Sequence, residues 1–300
     1  MIDVIIPVYR GLQETQRCLD SVLASSCETA REIIVIDDAS PEPGMRDYLG
    51  ALAQAQAITL RSNPVNLGYV GSVNAGMALH PDRDVLLLNS DTEVADGWLD
   101  RIAACATRDP RSGTVTPFSN NATICSFPDF AARNELPRGM TTRTLDRLFA
   151  RVNAGLALEI PTAVGFCMWI SRDCLAAVGF FDEAAFGRGY GEEVDFCMRA
   201  SRRGFHHWLC ADTYVYHAGE VSFGTSGADR RRDAQRTVDE RYPEFQIAVR
   251  DFIARDPAAP LRERVLRELA LGERHALPDA ACRSGPLVVI IAPDGLRSGV

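Results

Sequence analysis

Apolar residues in the first hundred positions occur in short uninterrupted runs, separated by segments with helical spacing. A strand with one solvent-facing side would alternate, so an uninterrupted run predicts a strand buried on both faces, as in parallel sheets. Alternating strands and helices predict right-handed crossovers and a largely parallel sheet. The predicted strands are VIIPV at 4–8, EIIVID from Glu32, AITLRSN at 57–63 and DVLLL from Asp84; the predicted helices contain Leu12, Leu19, Val22 and Leu23, then residues 45–56, then GYVGSVNAGMAL from Gly68.

The rest of the chain mixes regular and irregular patterns. Residues 110–160 have few regular signals, because TPFSNNATICSFPDF is loop-like and only 141–154 is helical in pattern. Further on, the pattern predicts a strand at 162–171, a helix EEVDFCMRASRRG closed by Gly204, one or two strands in HHWLCADTYVYHAG, and charged helices over 228–275 with Pro243, Pro257 and Pro260 as breakers.

The segment 283–300 reads as a turn, a buried strand and a loop with no following element. A buried parallel strand needs neighbours, so we expect this segment to begin a second domain that is cut off at residue 300. The alternative is an extra edge strand of the first sheet. The predicted organisation is one domain at 1–225, a helical extension at 226–282, and the start of another domain at 283–300.

Composition and charge exclude several classes of protein. The 300 residues are 46% hydrophobic, enough for a full core, and the net charge of −8 argues against binding nucleic acid. No apolar run approaches the roughly 20 residues of a membrane span, and the N-terminus lacks the pattern of a secretory signal. Nine scattered cysteines without a C-x-x-C pair argue against disulfides and zinc. We therefore expect a cytoplasmic protein, with peripheral contact at a membrane left open.

Acidic residues follow two of the predicted buried strands. Asp37 and Asp38 follow EIIVI, and Asp91 follows VLLLNS. If both strands are parallel, these acids share one crevice at the carboxyl edge of the sheet, where α/β proteins bind ligands. Carboxylates there can hold a divalent ion against the phosphates of a ligand, as is usual for Mg²⁺. The alternative is that Asp38 and Asp91 cap helices.

Glycines mark two further candidate sites. Gly68 and Gly71 lie where a helix begins, which permits close approach of a phosphate, although the spacing matches no known phosphate loop and helix packing explains it equally well. Three glycines between 187 and 191 precede Glu192, Glu193 and Asp195. These acids could form a solvated first turn that favours the helix dipole, or one could be a general base for a hydroxyl.

His217 directly follows a strand-like run in YVYHAG. Imidazole is a common metal ligand, but a lone histidine is more often structural. The sequence around it leaves both interpretations open.

Taken in order, these segments resemble glycosyltransferase family 2, the inverting sugar transferases with a GT-A fold. The resemblance covers about residues 1–225 and depends on VIIPVYRG, IIVIDDAS, NLGYVGSVNAG, LLLNSDTEV, GFFDE with GYGEEVDFCMRA, and YHAGEVSFG. It implies an α/β fold with a Rossmann-like, mostly parallel central sheet flanked by helices, here followed by a helical C-terminal extension.

The resemblance also implies roles for individual residues. Pro7, Val8 and Tyr9 would line the nucleobase pocket, with Asp37 beside Asp38, which would accept a hydrogen bond from the base. Asn89-Ser90-Asp91 takes the place of the D-x-D signature, with Asp91 and His217 as ligands of Mn²⁺ or Mg²⁺. Glu193 stands at the catalytic base position with Glu192 beside it, and Gly71 belongs to the donor-binding residues. Gly165 to Trp169 and the Phe180–Glu183 turn would border the acceptor.

The implied activity is metal-dependent, inverting transfer of a sugar from a UDP- or dTDP-linked donor to a hydroxyl of a glycan or lipid-linked glycan, in bacterial surface polysaccharide synthesis. Asn89 and Glu193 depart from the family's commoner aspartates, and the Q-x-x-R-W motif of processive synthases is absent. The alternatives are a non-catalytic glycosyltransferase-like binding module of a larger protein, or a sugar nucleotidyltransferase, which would need a glycine-rich basic loop that PVYRGLQ does not supply.

Overall fold

We describe a computed structural model of the protein, which covers residues 1–187, 189–219 and 227–276. Its centre is an eight-stranded sheet in the order β3-β2-β1-β4-β8-β6-β9-β7, and β5 pairs with β10 in a separate two-stranded sheet. The strands are β1 (Ile2–Val8), β2 (Arg31–Asp37), β3 (Thr59–Ser62), β4 (Asp84–Leu88), β5 (Thr92–Glu93), β6 (Ser112–Phe118), β7 (Ala157–Glu159), β8 (Cys167–Ile170), β9 (His206–Tyr214) and β10 (Tyr216–His217). The segment 283–300, expected to begin a second domain, lies outside the described residues.

Eleven α-helices are described around these strands. They are α1 (Leu12–Ala24), α2 (Met45–Gln54), α3 (Gly68–Met77), α4 (Trp98–Ala106), α5 (Thr142–Val152), α6 (Arg172–Val178), α7 (Glu183–Phe186), α8 (Glu192–Ser201), α9 (Gly227–Arg241), α10 (Pro243–Arg255) and α11 (Ala259–Ala276). The predicted helical extension is therefore present, with Pro243 at the first position of α10, where proline's missing N–H has no helical partner to lose.

The uninterrupted apolar runs arise because helices cover both faces of the sheet. In β1, Val4 and Ile6 face one core with α1, α2, α4 and α5. Ile5 faces the other core with α3, α6 and α8. Because successive side chains of a strand point to opposite faces, a run buried on both faces must be apolar at every position.

The sheet is mixed, and its parallel half matches the prediction. β1, β2, β3 and β4 are all parallel. β8 is antiparallel to both β4 and β6, so β6 runs in the same direction as β4. The carboxyl ends of β1, β2, β4 and β6 and the amino end of β8 therefore lie at one edge of the sheet.

One central strand was missed by the pattern. Residues 112–118 form β6, and all seven are buried, although the segment was assigned few regular signals. Its sequence SGTVTPF contains glycine and proline, which weaken a strand signal even though valine and threonine favour one. Burial by neighbouring strands outweighs these local preferences.

Candidate active site

The carboxyl ends of β1 and β2 place the predicted nucleobase residues side by side. Val8 is the register partner of Asp37. The Val8 carbonyl accepts a hydrogen bond from the Asp38 N–H at 2.8 Å. Pro7 and Tyr9 are half-buried on either side of Val8, and the Arg10 guanidinium lies 5.4 Å from the centre of the Tyr9 ring. Pro7, Val8 and Tyr9 therefore lie at the carboxyl edge of the sheet, next to the end of β2.

Asp38 caps α3, as the alternative interpretation of the sequence stated. Its Oδ1 accepts hydrogen bonds from the Leu67 N–H at 2.7 Å and the Asn63 side-chain amide at 2.9 Å, and its Oδ2 accepts from the Gly68 N–H at 2.8 Å. Most of its acceptor capacity is therefore used inside the protein. Asp37 accepts from the Ser40 N–H at 2.9 Å and holds the turn after β2.

Two N–H groups at the start of α3, those of Leu67 and Gly68, already donate to Asp38 and are not free for a phosphate. A Cβ at Gly71 would lie 2.8 Å from the Leu67 Cβ and 3.3 Å from a carboxylate oxygen of Glu183. Gly71 is therefore required for close packing. Helix packing, the alternative interpretation, accounts for the glycine, and the contact of Gly71 with the donor stays a prediction.

Asp91 and His217 meet where the small sheet forms. His217 on β10 is the register partner of Thr92 on β5. The His217 Nε2 lies 3.4 Å from the Asp91 Oδ1, and also 3.4 Å from the Asn89 side-chain amide nitrogen. Ser90, between the two, is buried. Residues far apart in the sequence therefore bring one carboxylate oxygen and one imidazole nitrogen together.

Two asparagines that the sequence analysis missed fix the orientation of His217. The His217 Nδ1 lies 2.9 Å from the Asn121 carbonyl oxygen, which can only accept, so Nδ1 carries the proton. The Asn120 side-chain amide bonds to both the N–H and the carbonyl of His217, at 2.8 and 3.0 Å. Nε2 is thereby directed at Asp91. In the sequence, the two adjacent asparagines of SNNAT were the signal that could have identified these residues.

Asp91 is held in a similar way. Its Oδ2 accepts the Gly219 N–H at 2.9 Å, and its carbonyl accepts the Ala218 N–H at 3.0 Å. Burial lowers the pKa of His217, but the Asp91 carboxylate and the Asn121 carbonyl raise it more, so the pKa lies above its ordinary value.

This pair fits a divalent metal. A carboxylate oxygen and an imidazole nitrogen suit Mn²⁺, and a metal-bound histidine usually donates its other ring N–H to an oxygen, as the His217 Nδ1 does to the Asn121 carbonyl. Two protein ligands leave most of the coordination sphere for the phosphate oxygens of a donor.

A second cluster with metal-like spacing lies at the opposite edge of the sheet. Asp3, Glu32 and His80 are close enough to share an ion. The Arg83 Nη1 already lies 3.0 Å from Asp3 and 2.7 Å from Glu32. A guanidinium thus neutralises these acids. We interpret this cluster as an ion-pair network that joins β1 to β2.

Glu192 and Glu193 begin α8 directly after a left-handed glycine. Gly191 has φ +83°, a conformation that residues with a Cβ rarely adopt. Glu192 is 5% exposed, and Glu193 is half-buried. Neither Oε2 atom has a hydrogen-bond partner within the described part of the chain. An unpartnered buried carboxylate oxygen is costly unless it is protonated or meets a ligand.

Burial dominates the electrostatics of this pair. Burial and the charge of Glu193 raise the pKa of Glu192 well above its ordinary value. Burial also raises the pKa of Glu193. Tyr69 on α3 is close to both carboxyls, which together with burial raise the pKa of its phenol. A carboxyl with a raised pKa is suited to accept a proton near neutral pH.

Two adjacent loop residues connect the two halves of the site. At Gly165, the Tyr69 hydroxyl donates to the carbonyl at 3.3 Å, and a Cβ there would lie 3.9 Å from the Glu193 Cβ. At Phe166, the carbonyl accepts the Asn89 N–H at 2.9 Å, and the ring stacks on His217 with centroids 5.3 Å apart. The glutamate pair and the Asp91–His217 pair therefore border the same loop.

The residues predicted to border the acceptor lie in different surroundings. Only Gly165 and Phe166 reach this loop, whereas Cys167, Met168 and Trp169 belong to β8 and are buried between β4 and β6. The Phe180–Glu183 turn is fixed to α3, since the Asn74 side chain bonds to the N–H and the carbonyl of Phe181 at 3.1 and 2.9 Å.

Comparison with known proteins shows the family of the chain. A family model described as glycosyl transferase family 2 matches residues 3–179, more than half of the 300 residues. N-acetylglucosaminyl-diphospho-decaprenol L-rhamnosyltransferase of Mycobacterium tuberculosis is 26% identical over 299 residues, covering 90% of this chain and 92% of that protein. An uncharacterised protein of the same organism is 29% identical over 165 residues, 53% of this chain and 57% of its own. The chain thus spans little more than half the length of that relative.

Two solved structures share the fold. GalNAc-T7 with UDP, GalNAc and Mn²⁺ has a TM-score of 0.61 at 16% identity, covering 82% of this chain and 49% of that one. The mannosyltransferase PcManGT of Pyrobaculum calidifontis, in complex with GDP-Man and Mn²⁺, has a TM-score of 0.56 at 16% identity, covering 93% and 81%. The α/β fold with a central sheet is that of GT-A glycosyltransferases.

Proposed function

Because the chain belongs to glycosyltransferase family 2, we propose that it catalyses metal-dependent, inverting transfer of a sugar from a nucleotide diphosphate to a hydroxyl of a glycan acceptor. The observation that carries this proposal is the loop 165–166, which has Glu193 on one side and the Asp91–His217 pair on the other. A base for the acceptor and a cation site for the diphosphate must lie on either side of the transferred sugar.

In the proposed mechanism, Glu193 removes the proton from the acceptor hydroxyl as that oxygen attacks the anomeric carbon. The bond from the anomeric carbon to the diphosphate oxygen breaks on the opposite face, so the configuration inverts. Glu193 holds the proton at Oε2, which is buried and has no protein partner among the described residues. Burial and the charge of Glu193 raise the pKa of Glu192 well above its ordinary value, which favours a neutral Glu192 beside the base and limits repulsion between the two carboxyls.

Asp91 and His217 would hold Mn²⁺ or Mg²⁺ through Oδ1 and Nε2. When bound, the ion neutralises charge on the departing diphosphate. Asn121 and Gly219 contribute by fixing these two ligands, so that little reorganisation is needed at the moment of transfer.

The donor and acceptor classes are part of the proposal. Pro7, Val8, Tyr9 and the remaining acceptor position of Asp38 would border the base of a UDP- or dTDP-sugar. The relative that is matched over 92% of its length is named as a rhamnosyltransferase that acts on a diphospho-decaprenol-linked sugar. Its name supports a lipid-linked glycan as the acceptor and a bacterial surface polysaccharide as the product.

A panel of nucleotide sugars tests the proposal. We expect one sugar nucleotide to raise the melting temperature in the presence of Mn²⁺ and not in EDTA, and to be hydrolysed slowly without acceptor. The matched variant is His217→Ala, in which the metal-dependent part of the rise in melting temperature should be lost. A protein stabilised equally with and without metal, and unable to turn over any donor, would contradict the proposed function.

A further inference from the structure

A buried carboxylate joins the helix that bears Glu193 to the C-terminal helices. Asp195 lies on α8 and is fully buried. It accepts hydrogen bonds from the Arg199 Nε at 2.8 Å, the Arg241 Nη1 at 2.8 Å and the Tyr242 hydroxyl at 2.7 Å. A buried carboxylate is stable only when such donors satisfy it. Two of the three donors come from the junction of α9 and α10.

The same arginine reaches the predicted acceptor turn. The Arg241 Nη1 also lies 2.9 Å from the Asp182 Oδ2. Asp182 begins α7, since its Oδ1 accepts the Ala185 N–H at 3.0 Å. One guanidinium therefore joins α7 and α8, the two segments on either side of the glycines at 187–191.

α9 also packs directly against the residue that precedes the two glutamates. A Cβ at Gly191 would lie 3.1 Å from the Phe186 ring and 3.2 Å from the Val238 Cγ2. Phe186 in turn lies under the Arg241 guanidinium, 5.5 Å from its ring centre. α9 therefore restricts the position at which α8 can begin.

We propose that Arg241 is a positioning residue for the transfer reaction. It holds α8 and the Phe180–Glu183 turn at the separation at which Glu193 reaches the acceptor hydroxyl. This inference rests on the proposed function, and it makes the C-terminal extension part of the catalytic unit. Arg241 acts through Asp195 and Asp182 rather than on the substrate, so its loss should affect turnover and leave nucleotide binding intact.

The test compares variants on one helix. In Arg241→Ala, kcat for transfer should fall by about ten- to a hundredfold, the scale expected when a reacting group is misplaced by about 1 Å. The KM for the donor and the affinity for nucleotide with Mn²⁺ should stay within about twofold of wild type. Arg241→Lys should lie between the two, because one ammonium can contact both carboxylates, as Nη1 does, but it lacks the planar guanidinium that stacks on the Phe186 ring. The control is Arg236→Ala, whose ion pair with Asp233 is exposed, and which should keep full kcat.

Hydrogen exchange separates positioning from unfolding. The α8 amides should exchange faster in Arg241→Ala than in Arg236→Ala, at a temperature where circular dichroism shows both proteins folded. Wild-type kcat in Arg241→Ala, unchanged α8 exchange, or a loss no larger than the unfolded fraction would overturn the inference. If the wild-type protein turns over no sugar nucleotide, the proposed function fails instead. If Glu193→Gln keeps full turnover, the assignment of the base fails, and the inference about Arg241 fails with it.

Discussion

At the scale of single residues, the proposed chemistry depends most on Glu193. Replacing it by Gln keeps the shape but removes the proton acceptor. We expect transfer to fall by about 10²–10⁴-fold, the usual contribution of a general base, with nucleotide affinity nearly unchanged. Single-turnover kinetics and calorimetry of nucleotide binding measure the two effects. Full activity of Glu193→Gln would exclude Glu193 as the base.

The raised pKa of Glu193 predicts the pH dependence of transfer. The base must be unprotonated to work, and burial raises its pKa above the ordinary value of 4.5. Activity should therefore decline as the pH falls through a value higher than 4.5, before acid unfolding begins. A kcat–pH profile at saturating donor, with folding followed by circular dichroism, tests this. An acidic limb at 4.5 or below would show that Glu193 is not perturbed in solution.

Glu192 predicts an effect on stability. Its pKa is raised on folding from 4.5, so between the unfolded and folded pKa values the folded state binds more protons, and stability falls as the pH rises through that interval. Glu192→Gln removes the ionisable group and with it this loss of stability. The variant should melt at a higher temperature than wild type at pH 7, and the difference should shrink as the pH approaches 4.5 from above. A constant difference across pH would contradict the assignment.

At the scale of elements, Asp38 stabilises the start of α3 with both of its oxygens. Asp38→Ala leaves the Leu67 and Gly68 N–H groups without their acceptor and should lower the free energy of unfolding by about 2 kcal/mol. Asp38→Asn keeps one acceptor oxygen and should lower the free energy of unfolding by less. Urea denaturation measures both. Equal stability of Asp38→Ala and wild type would show that water replaces the cap fully.

The elements also show what the sequence could and could not predict. β1, β2 and β4 were predictable because their apolar runs are covered on both faces of the sheet. β3 is a half-exposed edge strand, and it was predicted from its place in the alternation of strands and helices. β6 was not, since its Gly113 and Pro117 look like loop residues until neighbouring strands bury them. Asn120 and Asn121 were equally hidden, because their role depends on His217, which is distant in sequence and reaches them only through the pairing of β5 with β10. The acids at strand ends were located, but whether Asp38 contacts a ligand or a helix depends on side-chain direction.

At the scale of the whole molecule, the C-terminal helices complete the cores on both faces of the sheet, since Phe252 and Val265 lie in the core of Val4 and Ile6. Val238, Tyr242 and Phe245 lie in the same cluster as Phe186 and Phe196. The described part of the predicted transferase domain is therefore packed against the extension. No helix in the described ranges is both long enough and apolar enough to cross a bilayer.

A matched pair on α10 tests this packing. Phe245→Ala removes a buried ring that is 7% exposed and should lower the free energy of unfolding by about 3 kcal/mol. Ile247→Ala, two residues along the same helix and 71% exposed, should change it by less than about 0.5 kcal/mol. Chemical denaturation of both variants gives the comparison. Similar small losses would mean that the extension is not part of the cooperative unit.

The peptide bond between Gly165 and Phe166 has a kinetic consequence. Its glycine side contacts Tyr69 and lies beside Glu193, while its phenylalanine side contacts Asn89 and His217. A nucleotide bound at Asp91 would therefore immobilise this loop beside Glu193, where the acceptor binds. The order of addition would then be compulsory, with the sugar nucleotide first and the sugar acceptor second, and the acceptor would show measurable affinity only for the protein already loaded with nucleotide.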